Sequence, residues 1–328
     1  MSPRNRMVIH CALACCMWIA GCDSPDPTNL SVDERGFVKI ELALNWIPDS
    51  QHGGFYAAKV HGYFEDVGLD VTISPGGPNA PVIQTVATNR AQFGVGNADQ
   101  ILMARQQEAD VVAVFAAMQN SPRCIMVHAE SPITNLEALQ NVTLAVGPGK
   151  AFVKYLESKL PLTGVTTVPY TGSVVPFLND KRFAQQAYVF SEPHAVQSRG
   201  VETRCLLVSE IGFNPYSSCL FVNGDLLRSN PELVSKMASA VRRGWQTYLE
   251  SPDRTNAEIQ KANPEMAAAS LRFGAEAMAT LCDPMGTPEM IGQMDEARWQ
   301  TMAKQLVELG FLDSAQDHGN AFTTKFLE

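Results

Sequence analysis

Leu42-Ala-Leu-Asn-Trp-Ile-Pro-Asp-Ser-Gln-His-Gly-Gly-Phe-Tyr-Ala-Ala-Lys-Val-His-Gly-Tyr-Phe-Glu-Asp-Val-Gly-Leu-Asp-Val-Thr-Ile73 decides the fold. A strand, Val38–Leu44, ends in Asn45 and Trp46; a turn follows at Pro48-Asp49; a helix opens at His52-Gly53-Gly54; a second strand covers Leu69–Ile73. That order is a βαβ unit. In open α/β sheets ligands sit at the carboxyl ends of strands, beside helix N-termini whose free N–H groups donate to them. Asn45, Trp46 and His52 are therefore candidate ligand residues, and the paired glycines are expected to let a ligand approach the backbone. The competing readings are a packing role for Trp46 and a helix-start role for His52.

Working outward, β-branched runs recur at Phe93–Val95, Val111–Phe115, Ile125–His128, Thr143–Val146, Val165–Tyr170, Tyr188–Phe190, Cys205–Val208 and Cys219–Val222, with helical patterns between them. Ten strands exceed what one compact sheet usually holds, so two α/β lobes are expected. After Asn223 the character changes. Asn230-Pro-Glu, Ser251-Pro-Asp, Asn263-Pro-Glu and Thr287-Pro-Glu each set a capping side chain before a proline and an acid, predicting a helical final third.

Composition narrows the function. Net charge is −9, with 25 Lys and Arg against 34 Asp and Glu, which argues against a nucleic-acid partner and for a small molecule. Gly94-Val-Gly-Asn-Ala-Asp99 lacks the third glycine of a dinucleotide fingerprint. Gly147-Pro-Gly-Lys150 has Leu144 where a phosphate loop has its first glycine and Ala151 where it has Ser or Thr. There is no Cys-x-x-Cys, His-Glu-x-x-His or Gly-x-Ser-x-Gly. No metal, cofactor or catalytic residue is expected.

The first residues read as an export signal: Arg4 and Arg6, then an apolar run from Met7 to Ala20, too short to span a bilayer. The run ends Ile19-Ala20-Gly21-Cys22, similar to a lipoprotein lipobox, so residues 1–21 are expected to be removed and Cys22 to carry the lipid anchor. Residues 22–36, polar with two prolines, read as a flexible tether.

The opening segment closely resembles the substrate-binding proteins of ABC importers, specifically the thiamine pyrimidine precursor-binding, or no-message-in-thiamine, family. The resemblance continues through Phe93–Arg105, Val111–Pro122, the glycine loop with Gly147 and Gly149, Tyr188-Val-Phe-Ser-Glu-Pro193 and Gly212-Phe-Asn-Pro-Tyr216. It implies a two-lobed periplasmic binding protein of type II: two mixed sheets flanked by helices and joined by two hinge strands, near Arg123–His128 and Ser218–Val222. Lobe 1 would combine 37–122 with 223–328, and lobe 2 would be 123–222. The implied partners are a permease and an ATPase, with the protein on the outer side of the cell membrane. The implied solute is a thiamine-precursor pyrimidine, with riboflavin or another flat heterocycle as the alternative. Some yeast relatives synthesise the pyrimidine; the Cys-Cys-Cys-Phe-Cys run they carry is missing here, which leaves synthesis a distant reading.

The chemistry of an aminopyrimidine selects residue types. Its face stacks on aromatics, for which Trp46, Tyr188 and Tyr216 are candidates. Its edge pairs a donor with an acceptor, which amides and carboxylates match: Asn45, Asn97, Gln119, Asp99 and Glu192. Glu192 is favoured, at the end of a strand read as Tyr188–Phe190; Asp99 competes with a role in capping the helix that follows it. Cys124 and Cys219 fall on the inferred hinge strands and form a conceivable disulfide, with buried free thiols as the favoured reading.

Overall fold

The computed structural model describes residues 30–327, so the expected export signal, Cys22 and the start of the expected tether lie outside the described residues. The first stretch runs β1 (Val38–Ala43), α1 (Gly53–Val60), β2 (Leu69–Ser74), α2 (Val82–Ala87), β3 (Phe93–Gly96), α3 (Ala98–Arg105) and β4 (Val111–Met118). The middle holds β5 (Arg123–His128), β6 (Thr143–Val146), α4 (Ala151–Lys159), β7 (Thr166–Pro169), α5 (Val175–Asn179), β8 (Phe183–Tyr188), α6 (Glu192–Gln197) and β9 (Thr203–Leu207). The remainder is β10 (Ser217–Asn223) followed by α7 (Gly224–Ser229), α8 (Pro231–Glu250), α9 (Asp253–Ala262), α10 (Ala268–Cys282) and α11 (Glu296–Glu308).

The strands form two five-stranded mixed sheets, in the orders β2-β1-β3-β10-β4 and β7-β6-β8-β5-β9. β1 is parallel to β2 and β3, whereas β10 runs antiparallel to β3 and β4; β5 likewise runs antiparallel to both its neighbours. Each lobe is built on one sheet, and the chain crosses between them twice.

The crossings sit slightly earlier than expected. β5 and β10 each pair within a single sheet, so the crossing segments are 119–122 and 212–216. The assignment of 217–222 to lobe 2 is therefore corrected: β10 lies between β3 and β4, in the middle of the first sheet. The apolar run Cys219–Val222 identifies a buried strand without saying which sheet buries it.

The eighth strand is also displaced, to Phe183–Tyr188, because Gln185 and Gln186 interrupt its apolar pattern. Among the helix starts, Asn230 does cap α8, accepting from Leu233 N at 3.3 Å. α9 begins beside Ser251-Pro-Asp without a side-chain cap, and Thr287-Pro-Glu opens only a 3-10 turn. Asn263-Pro-Glu opens no helix; its amide instead donates to Pro48 O at 2.9 Å, tying the tail to the loop after β1.

The tail belongs to lobe 1. α8 packs on α1, with Phe55 edge-on to Trp245 at 5.9 Å and Trp245 edge-on to Tyr248 at 6.0 Å, all three fully buried. Single bridges from Gly292 and Phe322 cover β4, every residue of which is buried, so this outermost strand presents no open edge.

The cysteine pairing is not found. Cys124 sits in β5 and Cys219 in β10, in different sheets, and both are free, as are Cys205 and Cys282.

Candidate functional site

Asn45, Trp46 and Ile47 leave the carboxyl end of β1, and Trp46 and Ile47 are each 41% exposed, unusual for large apolar side chains beside a buried strand. Behind them Asp49 caps a 3-10 turn, Ser50–His52, accepting from Gln51 N and Gln51 Nε2, both at 3.0 Å. His52 Nδ1 faces the Asp49 backbone N–H at 3.4 Å, and Nε2 lies 3.0 Å from Asn45 Oδ1. Burial pushes His52 down to about 3, so the ring is neutral. Burial pushes Asp49 up to about 7 against the two Gln51 bonds, and the charge of Glu192 adds to the rise.

Two expectations change here. His52 is fully buried and has no surface to offer a solute; it reaches the site through Asn45. Gly53 and Gly54 serve helix packing rather than ligand approach: a Cβ on Gly53 would stand 2.0 Å from the Tyr248 ring, and one on Gly54 2.1 Å from the Trp245 ring.

Lobe 2 contributes the ends of β6 and β8. Gly147 N donates to Gln186 Oε1 at 2.6 Å, and Gly149, at φ +72°, turns the chain into α4 with open space around its Cα. Arg123, absent from the sequence-based candidates, lies between two rings, 4.4 Å from the Phe152 centroid and 4.6 Å from Tyr188, and donates to Tyr188 Oη at 2.7 Å. Glu192 begins α6 and is engaged inside its own lobe: Oε1 accepts from Tyr170 Oη at 2.7 Å and Oε2 from Tyr188 N at 2.8 Å. Each oxygen keeps a lone pair for a further donor.

The lobes are close enough to feel each other. Phe190 is buried in the core of lobe 1, and His194 of α6 stacks on Phe273 of α10 at 5.0 Å. Asp99 of lobe 1 has a carboxyl raised by burial, while Arg123 and Lys150 of lobe 2 pull it down; its Oδ1 is buried without a hydrogen-bond partner. One electrostatic region thus spans the ends of β1, α3, β5, β6 and β8.

Other candidates lie elsewhere or are occupied. Asn97 is the N-cap of α3, in a capping box with Gln100, and its Oδ1 also accepts from Ser218 N at 3.4 Å. Asp99 is therefore the second residue of that helix rather than its cap. Gln119 spends its amide nitrogen on the carbonyls of Ala116 and Gln293, both at 3.0 Å. Tyr216 is 3% exposed, its hydroxyl accepting from Asp295 N at 2.9 Å while the Arg298 guanidinium covers its ring at 3.8 Å. Both lie in the crossing segments: Tyr216 sets its ring against Trp299 of α11 at 6.3 Å, and its carbonyl accepts from Ala98 N at the start of α3 at 3.0 Å. A surface cavity of about 310 Å³, lined by Gly212, Asn214, Arg298 and Gln305 among others, lies on this hinge side.

Among the described residues no group of acids, histidines and cysteines is arranged to hold a metal, and no helix is long and apolar enough to cross a membrane.

Comparison with known proteins agrees with the two-lobed fold. The chain is 25% identical over 334 residues to the riboflavin-binding protein RibY of Chloroflexus aurantiacus, covering 94% of each. It is 21% identical over 323 residues to the formylaminopyrimidine-binding protein of Halalkalibacterium halodurans, covering 94% of this chain and 95% of that one. The crystal structure of the periplasmic aliphatic sulphonate binding protein SsuA from Escherichia coli superposes with a TM-score of 0.69 at 13% identity, over 87% of this chain and 92% of that one, giving a two-lobed periplasmic binding protein fold. The family model described as NMT1/THI5 like matches residues 49–255, which contain the 3-10 turn, both crossings and all of lobe 2. This chain belongs to the NMT1/THI5-like family.

Proposed function

We propose that this protein is the substrate-binding component of an ABC importer and captures a flat nitrogen heterocycle, a thiamine-precursor pyrimidine of the formylaminopyrimidine type, between its lobes. The observation that carries the reading is the pair at the end of β1: Trp46 with 41% of its surface open, beside Asn45, whose amide is tied to a buried neutral histidine. An exposed indole next to a fixed amide offers a ring both a face to stack on and an edge to bond to, the stacking contributing about 0.5–1.5 kcal/mol beyond burial. Tyr188 and Glu192 supply the matching polar and aromatic side from lobe 2. Capture and release, with no chemical step, is the role assigned.

Riboflavin is the second reading, favoured by the 25% identity to a riboflavin-binding protein against 21% to the pyrimidine-binding one. In either case the protein works outside the cytoplasm, is held to the membrane by lipid on Cys22, and hands its solute to a permease driven by an ATPase.

Calorimetric titration with formylaminopyrimidine and with riboflavin, alongside mass spectrometry of whatever co-purifies, tests the assignment. Tight pyrimidine binding supports it, riboflavin binding alone moves it to the second reading, and binding of neither overturns both.

A further inference from the structure

His52 is fully buried, seven residues beyond Asn45, and its two ring nitrogens have different neighbours. Nδ1 faces the backbone N–H of Asp49 at 3.4 Å, long for a hydrogen bond but directed. A backbone N–H is only ever a donor, so Nδ1 keeps its lone pair and the single proton of the neutral ring is on Nε2. Nε2 therefore donates, and the Asn45 atom it meets at 3.0 Å is the amide oxygen, not the amide nitrogen. The two ends of a carboxamide diverge, so Nδ2 is turned away from the buried ring. Among the described residues Nδ2 has no protein partner, and it is not enclosed.

We propose that His52 is a positioning residue that selects the solute's edge: by holding Asn45 Oδ1 it presents the Asn45 NH2 group beside Trp46, so a bound heterocycle must offer an acceptor there, a ring nitrogen or ring carbonyl. This deepens the solute-capture reading and rests on it. A free Asn swaps donor for acceptor by a half-turn and discriminates nothing; one clamped by a buried Nε2–H rejects a solute whose only polar group at that position is a donor, since two donors would face each other. Trp46 accepts any flat ring, so selectivity for the ring's edge falls to the clamped amide.

The test has two independent parts. Long-range proton–nitrogen NMR of the unliganded protein labelled in its histidine rings reads the tautomer directly: a neutral Nε2–H ring between pH 5 and 8 is expected. An Nδ1–H ring, for which Asp49 Oδ1 at 3.5 Å is the available acceptor, or an imidazolium overturns the proposal. The binding part compares His52→Gln, which restores a side-chain N–H donor, with His52→Leu, which does not, by titration with formylaminopyrimidine and riboflavin. The bound probe should dissociate about tenfold more readily from the leucine variant, with the glutamine variant recovering most of that loss. Equal affinity of both variants with the wild type overturns the proposal. A wild type that binds neither probe overturns the capture reading instead, while the tautomer measurement still decides the state of the Asn45 amide.

Discussion

Asp49 and His52 form one hydrogen-bonded unit in which the same burial shifts two side chains in opposite directions, the carboxyl up to about 7 and the imidazole down to about 3. For His52, ordinarily at 6.5, the unfolded chain binds the extra proton between about pH 3 and 6.5, so this residue makes stability rise with pH there. For Asp49, ordinarily at 3.8, the folded chain binds the extra proton between about 4 and 7, so this residue makes stability fall with pH there. Between about pH 4 and 6.5 the two contributions oppose each other.

Asp49→Asn removes the falling member alone. The variant should gain on the wild type by up to ~1.4 kcal/mol per pH unit from about pH 4 to 7, measured as the difference between their urea unfolding free energies. Parallel pH profiles would show that Asp49 is ionised in the folded protein throughout.

Gly54→Ala places a methyl group where the Trp245 ring already stands, in a contact between α1 and α8 where both residues are buried. Overpacking of this kind costs about 1–3 kcal/mol, and a rigid indole with no space to move puts this site at the upper end. Chemical denaturation should show the loss, and an unchanged midpoint would mean that α8 slides freely over α1.

Arg298 should be the most sensitive single residue of the hinge. Its guanidinium donates to Gln119 O in one crossing segment and to Asn214 O and Oδ1 in the other, the latter two at 2.9 and 3.0 Å. Arg298→Met strands Gln119 O and Asn214 O, while Asn214 Oδ1 keeps the Ser121 N–H at 2.8 Å, and bonds to a charged group contribute about 1.5–3 kcal/mol each. A lower unfolding midpoint and a wider spread of lobe angles in solution scattering are expected; an unaltered scattering profile would leave Arg298 with a local packing role only.

Trp46→Ala should separate binding from folding. With much of the indole already in solvent, the variant's free-state stability is expected within about 0.5 kcal/mol of the wild type, while its affinity for the solute falls at least tenfold. A loss of stability matching the loss of affinity would instead mark Trp46 as a packing residue.

Thiol labelling checks the cysteines. Cys124, Cys219 and Cys282 are buried, with burial raising each thiol, and Cys205 is half-buried. A chain begun at residue 30 should show four free thiols when denatured without reductant and slow reaction when native. Two thiols on denaturation would establish a disulfide.

The strands were legible wherever β-branched residues ran unbroken, and β8 was displaced because Gln185 and Gln186 look like a turn to a pattern but sit inside a sheet. The end of β1 was legible because Asn-Trp at a strand terminus is both unusual and local. The hinge was not: Tyr216 and Gln119 carry the right chemistry for a ring, and only the folded path of 212–216 turns them toward Arg298, 179 residues beyond Gln119. The role of Arg123 is hidden in the sequence for a related reason. A cation among rings is recognisable only when Phe152 and Tyr188 are brought to it from other elements. Gly53 and Gly54 were legible as a close approach, but not as an approach by Trp245 and Tyr248 from nearly two hundred residues away.

The position of β10 also governs how the molecule can be assembled. β4 pairs with no strand but β10, and a hundred residues of lobe 2 separate the two in the chain. Lobe 2 has all five of its strands in hand once β9 has emerged, whereas Val-Val-Ala-Val-Phe-Ala-Ala-Met must wait as an unmatched segment with no charge and no proline. Such a segment is what aggregation selects. Folding should therefore be slow in lobe 1 and fast in lobe 2, and the hazard in making this protein lies in the interval between the synthesis of residue 118 and the arrival of residue 223.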